Sequence, residues 1–197
     1  DQAEEIAEDI ENGETNRPKR QAFKDWRYPN TIWDQGLYYY FGSSANDKVR
    51  RAFLLGAEMW RKDTCINFTH SWTAPNRVRV IAGNGCWSYV GKIRRSPQDL
   101  SLGSGCEVSG ARLVQTIYLQ PGIAAHEIGH ALGFFHTHSR HDRDQFITVY
   151  SGNIRHDWLD QFNRESTNTN DNYGITYDYG SLMHYGAHRL EIRRAKP

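Results

Sequence analysis

His126-Glu127-Ile128-Gly129-His130-Ala131-Leu132-Gly133-Phe134-Phe135-His136 is the stretch from which the rest of the chain is read. Its form is H-E-x-x-H-x-x-G-x-x-H. Side chains four residues apart share one face of a helix, so His126 and His130 can aim their imidazoles at one ion, and Glu127 can reach a water on that ion. A third ligand continuing the same helix would point elsewhere. Gly133 removes the difficulty, because glycine accepts the left-handed backbone that ends a helix and turns the chain, after which His136 can swing back to the metal. Three protein nitrogens and one open position describe a catalytic zinc, one Zn2+ per chain, rather than a structural one. A closed structural site would draw on cysteines, and none lies near the motif. A solvated helix that merely carries histidines would not need Gly133 and His136 at these offsets.

The pattern continues past the third histidine through His136-Thr137-His138-Ser139-Arg140-His141-Asp142-Arg143-Asp144, and again in Ser181-Leu182-Met183-His184-Tyr185. These stretches resemble the astacin family of metzincin metallopeptidases. The family pattern is H-E-x-x-H-x-x-G-F-x-H-E-x-x-R-x-D-R-D, followed by a turn S-x-M-H-Y. One position departs from it: Thr137 stands where the family usually has Glu. The resemblance covers about residues 22–186, the extra stretch described below excluded. It implies an α+β, zincin-like fold, with a twisted mixed sheet and the active-site helix in an N-terminal lobe and a small C-terminal lobe. It implies zinc held by His126, His130 and His136, with Tyr185 as a further ligand that swings away to bind the oxyanion. It implies Glu127 as the general base and Met183 as an apolar floor beneath the histidines. The family's Glu at position 137 helps hold the buried mature N-terminus, so a different hold is expected here. His138, His141 and His184 are out of ligand register and read as loop residues or as supports behind the ligands.

Composition sets the outer bounds. A chain of 197 residues is long enough for one domain with a sizeable core, and 24% charged with 13% aromatic residues is not a disordered composition. A formal net charge of +1 gives no reason to invoke nucleic acid or a membrane surface. No apolar run reaches the length of a membrane span. The expected partner is a protein or peptide substrate, and the expected state is a monomer. With neither an initiator Met nor a signal peptide, the sequence reads as beginning inside a longer precursor, and the resemblance implies a secreted, extracellular enzyme.

In chain order, residues 1–20 are acidic and end in Arg17-Pro18-Lys19-Arg20, a basic cluster of the kind processing proteases cut. They read as a propeptide remnant, with the metallopeptidase domain at residues 21–197. Residues 26–41 read as an extended lead-in and a strand, and 46–63 as an amphipathic helix capped by Asn46 or Asp47, with Val49, Phe53, Leu54, Ala57 and Trp60 on its buried face. Strands follow at Ile66–His70, Val78–Ala82 and Cys86–Gly91. The last of these is, by resemblance, an edge strand to which a substrate peptide can add. The stretch Ala111–Pro121 exceeds the family spacing and fits an added strand, a loop near the cleft or a sequence artefact. Past the motif, Phe146–Ile154 suggest a short strand or turn, Trp158–Phe162 a helical turn, and Arg164–Asn172 a loop.

By resemblance Cys86 pairs with Cys106, and the partner of Cys65 belongs near the end of the domain. The chain stops 12 residues after Tyr185 in a tail without cysteine, so a truncated C-terminal lobe with Cys65 unpaired is expected. Two other function classes fit parts of this picture: a catalytically weak or inactive truncated binding module, and a structural zinc protein. Chelator-sensitive proteolysis separates both from an enzyme.

Overall fold

Asn46 begins the element on which the domain is built. Its Oδ1 accepts from the backbone N–H groups of Lys48 and Val49 at 3.0 and 3.1 Å, and helix α1 (Asp47–Asp63) follows. The cap satisfies two donors that the first helical turn leaves without partners. In this computed structural model the described residues are 22–23, 26–106 and 121–186. The basic junction at 17–20, the extra stretch from 111 to 120 and the tail 187–197 lie outside the described residues.

The face that α1 buries is Val49, Ala52, Phe53, Gly56, Ala57 and Trp60. This is the i, i+3, i+4, i+7 stripe of an amphipathic helix, but with different members than expected. Leu54, placed on that face from sequence, is 47% exposed, while the small residues Ala52 and Gly56 occupy the contact line. Leu54 lies one residue, about 100°, around the helix from Phe53, and close approach of a neighbouring helix favours the small residues.

That neighbour is α2 (Pro121–Ala131), and every residue from Gly122 to Ala131 is buried. The backbones meet at Gly56, where a Cβ would lie 2.7 Å from the Ala125 nitrogen and 2.9 Å from the Ala124 carbonyl carbon. Trp60 fastens the crossing by donating its indole N–H to the Ala125 carbonyl at 2.8 Å.

Both helices share one core with a five-stranded sheet. Strands β2 (Leu37–Phe41), β3 (Phe68–His70), β4 (Val78–Ile81) and β6 (Gln98–Leu102) are parallel, and β5 (Cys86–Ser88) is antiparallel at one edge, giving the order β3-β2-β4-β6-β5. Alternation buries Leu37 and Tyr39, Val78 and Val80, and Leu100 and Leu102. The β5 ladder stops at Ser88, short of the expected Gly91. Gly91 has a φ of +71°, and its N–H donates to the His130 carbonyl at 2.9 Å instead of to a strand. Buried Gln98 holds this turn from the other side, donating to the Gly91 carbonyl and accepting from the Ile93 N–H. The edge segment is thus tied to the C-terminal end of α2. A Cys86–Cys106 disulfide joins β5 to the turn after β6, and Cys65 is free and exposed. Closing a loop of this length is worth about 3 kcal/mol in the chain-entropy treatment.

Beyond α2 the chain is mostly short 3-10 turns at Thr137–Ser139, Arg143–Gln145, Ser151–Asn153 and His156–Phe162. The polar run expected as loop contains one short strand, β7 (Asn170–Asp171), which pairs antiparallel with β1 (Ala22–Phe23). Such loops lack a regular ladder, so buried guanidinium groups organise them. Arg140 makes a bidentate pair with Asp142 at 2.9 and 2.8 Å and donates to the carbonyls of Ile175 and Thr176. Arg143 donates to the carbonyls of His138 and Phe162 and to Asp144. The R-x-D-R-D run is therefore a set of loop clamps.

The helix crossing can be tested by adding bulk. Gly56→Ala should lower the urea midpoint, because overpacking against backbone costs about 1–3 kcal/mol while removing a helical glycine returns about 1 kcal/mol. Gly56→Val should lower it further, and an unchanged midpoint in both would mean that the helices have slack. The clamp at Arg140 can be tested with acid. Its hydrogen bonds hold the Asp142 carboxyl below its usual value of 3.8. A depressed carboxylate stabilises the fold above the unfolded-state value, and that contribution is lost as pH falls through the folded value. Asp142→Asn should then cost about 2 kcal/mol at neutral pH. The deficit should close in acid below 3.8, and a deficit independent of pH would contradict the assignment.

Candidate metal centre

Helix α2 carries polar side chains in an apolar setting. His126 and Glu127 are buried, and His130 is nearly so. The ring orientations of the two histidines come from backbone carbonyls. The His126 Nδ1–H donates to the Leu182 carbonyl at 2.7 Å, and the His130 Nδ1–H to the Phe134 carbonyl at 2.8 Å. A carbonyl only accepts, so each neutral ring keeps its proton on Nδ1 and presents an Nε2 lone pair. Burial pushes the pKa of His130 down to about 4, so this ring is neutral at physiological pH.

The turn that brings in the third ring is built at Gly133. Its φ is +106°, its N–H donates to the His130 carbonyl, and the Phe134 N–H closes on the Gly129 carbonyl. The helix ends there as expected. His136 Nε2 then lies 3.2 Å from the Nε2 atoms of both His126 and His130. Nitrogens 3.2 Å apart, each about 2.05 Å from a common centre, subtend roughly 100° there, close to the tetrahedral arrangement of zinc. The three imidazoles are positioned to hold a metal, and their donor set fits Zn2+.

Two further pieces complete the surroundings. Met183 is fully buried, and its sulfur lies so close to Gly129 that a Cβ there would sit 2.6 Å from it. The expected apolar floor is present, and it requires the glycine between the two helical histidines. The Tyr185 ring packs on His136 with centroids 4.3 Å apart. Thr137, the departure from the family pattern, is buried within the loop. Its N–H donates to the Met183 carbonyl at 2.8 Å, and its hydroxyl donates to Ser181 Oγ at 2.8 Å. Ser181 Oγ also accepts the Met183 N–H.

Of the residues the sequence placed together, the structure converges His126, His130 and His136, sets Met183 against Gly129 and packs the Tyr185 ring on His136, while Glu127 is buried beside His126 on α2. What sequence reasoning missed are the carbonyls of Leu182 and Phe134, which carry no residue-type signal, and the Thr137–Ser181 link. His141 stands away from the rings, against the Asn172 amide. His184 bonds the Tyr177 hydroxyl.

Comparison with known proteins agrees with this geometry. A family model described as Astacin, a peptidase family, matches residues 25–195. The chain is 49% identical over 172 residues to zinc metalloproteinase nas-31 of Caenorhabditis elegans, covering 87% of this chain and 26% of that protein. It is 39% identical over 158 residues to zinc metalloproteinase nas-34 of the same organism, covering 78% of this chain and 24% of that protein. The chain thus spans about a quarter of the length of these two relatives. Among solved structures, high choriolytic enzyme 1, a hatching enzyme zinc-protease from Oryzias latipes, superposes with a TM-score of 0.73 at 29% identity, covering 87% of this chain and 80% of that one. With its family pattern matched over nearly the whole described fold, and the three imidazoles converged, the chain belongs to the astacin family of peptidases.

Proposed function

We propose that this chain is a secreted, monomeric zinc endopeptidase acting on extracellular proteins, with His126, His130 and His136 as the protein ligands of one zinc and Glu127 as the general base. The observation that carries this reading is the convergence of three Nε2 atoms with a buried carboxylate on the adjoining helical position. When bound there, zinc supplies Lewis acidity: it lowers the pKa of a water it holds to about 7 and polarises a carbonyl oxygen.

The residues of the chain do the rest. Glu127 accepts the proton of the attacking water and delivers it to the leaving amine, so one carboxylate serves as base and then as acid. Its burial removes competing solvent and strengthens its interaction with the water it orients. Tyr185, packed on His136, would be a further holder of the zinc and would supply a phenol donor for the oxyanion. A donor of that kind is typically worth about 2.7–4 kcal/mol. Strand β5 supports a binding mode for the substrate. It pairs with β6 on one side only among the described residues, so an extended peptide can add to its other side as a further strand, beside the half-exposed Trp87 and Tyr89.

Glu127→Ala should keep zinc at one equivalent, measured by elemental analysis, and lose casein hydrolysis by a factor of about 10²–10⁴. Near wild-type turnover in that variant would remove Glu127 from the role of base. Treating the unsubstituted protein with a chelator should abolish cleavage and lower the melting temperature, since the ion binds only the folded chain, and added zinc should restore both. A domain kept only for binding would show the thermal shift without any proteolysis, which would overturn the enzymatic reading.

A further inference from the structure

His138 carries no part of the chemistry above, yet it is the most enclosed of the imidazoles around the site, at 1% exposure. Its ring forms a three-way cluster with two groups that the function uses, and those two rings themselves lie 4.3 Å apart. The His136 ring lies 4.9 Å away at an interplanar angle of 18°, and the Tyr185 ring lies 4.3 Å away at 32°. The edges of the imidazole are occupied as well. Its Nδ1 accepts the Tyr185 backbone N–H at 3.3 Å, and its Nε2–H donates to the Gln161 carbonyl at 3.1 Å. The backbone donor at one edge and the carbonyl acceptor at the other fix a single neutral tautomer. The His138 carbonyl is itself held by the Arg143 guanidinium.

We propose that His138 is a positioning residue that sets where Tyr185 stands relative to the third imidazole. Three features point this way together. The ring touches both His136 and Tyr185, which also touch each other, so His138 is the third side of the cluster and fixes how those two rings meet. The hydrogen bond to the Tyr185 N–H fixes that residue at its main chain and places no restraint on the phenol hydroxyl itself. The bond to the Gln161 carbonyl anchors the platform to the loop 156–162, outside the metal site. A phenol that serves both a bound metal and the oxyanion would need a fixed pivot, and His138 would provide it.

Because the hydrogen bonds are one acceptor and one donor on a planar group, glutamine can reproduce them and phenylalanine cannot. Phenylalanine keeps the ring stack. His138→Phe should therefore lower kcat on a fluorogenic peptide by about 10- to 100-fold with KM within about twofold, the range for supports behind metal ligands. His138→Gln should recover most of that loss. In a Tyr185→Phe background, where the hydroxyl is already gone, His138→Phe should add no further loss of kcat, whereas a merely structural role gives additive losses.

The kinetic measurements rest on the peptidase reading, so zinc affinity, measured by competition with a fluorescent chelator, is the independent readout. It should weaken about tenfold in His138→Phe and stay near the wild-type value in His138→Gln. If the chelator experiment gives the thermal shift without any proteolysis, so that the chain is no peptidase, the affinity comparison still decides the role of His138 at the metal site. If His138→Phe does not fold, His138→Gln decides: retained kcat and affinity support the assignment, and losses in a variant with wild-type melting temperature overturn it. Additive losses in the double variant, or unchanged kcat and affinity in folded His138→Phe, also overturn it.

Discussion

Helix α2 is buried on every side and nevertheless carries His126, Glu127 and His130. Polar groups taken out of water cost several kcal/mol unless they are hydrogen-bonded or bound to a metal. The surrounding structure answers that constraint. The Leu182 and Phe134 carbonyls satisfy the Nδ1 protons, and the Nε2 atoms are left to converge. The first of those carbonyls belongs to the Met183 turn, 56 residues along the chain from His126, so the turn must be delivered accurately for the helix to be tolerated at all. Thr137 fastens that turn through its N–H to the Met183 carbonyl and its hydroxyl to Ser181, and the clamps at Arg140 and Arg143 hold the loops on either side.

Close backbone approach is the second consequence. A helix buried on all faces needs neighbours at short range, and α1 meets it backbone to backbone at Gly56. Trp60 joins the same crossing: it donates to the Ala125 carbonyl, stacks on Phe134, and lies so close to Gly129 that a Cβ there would sit 3.1 Å from its ring. Met183 fits against Gly129 in the same manner from below. Three short-range contacts, at Gly56, at Gly129 and at the Gly91 N–H, thus set the position of the helix that bears the histidines.

The site was legible in the sequence to the extent that its chemistry is encoded in residue type and spacing. The offsets of His126, His130 and His136 and the left-handed turn at Gly133 are of this kind, and the helix 46–63 was readable from its cap and its period. Leu54 shows the limit. Hydrophobic periodicity assigns large residues to the buried face, whereas the approach of a second helix selects small ones, and the partner is not visible from the segment alone. The end of the β5 ladder at Ser88 fails for a related reason, since Tyr89–Gly91 look like strand until the His130 carbonyl captures the Gly91 N–H. Contacts made through main-chain carbonyls leave no trace in a residue pattern.

Thr137 shows both effects, a change in residue type and a main-chain contact, at one position. A carboxylate at a position only 4% exposed needs a cation or several donors beside it, and without them its desolvation outweighs what it stabilises. Threonine imposes no such demand. Its hydroxyl and N–H are both used within the domain, on Ser181 and on the Met183 carbonyl, so the segment bearing His136 is fixed directly to the turn that orients His126. The third imidazole and the Met183 floor are thereby coupled through neutral hydrogen bonds, each worth about 1 kcal/mol net, which do not depend on a charge arriving from another part of the chain. Strand β1 (Ala22–Phe23) is held elsewhere, by its ladder with β7, so the support of the third histidine and the fastening of this strand rest on separate interactions.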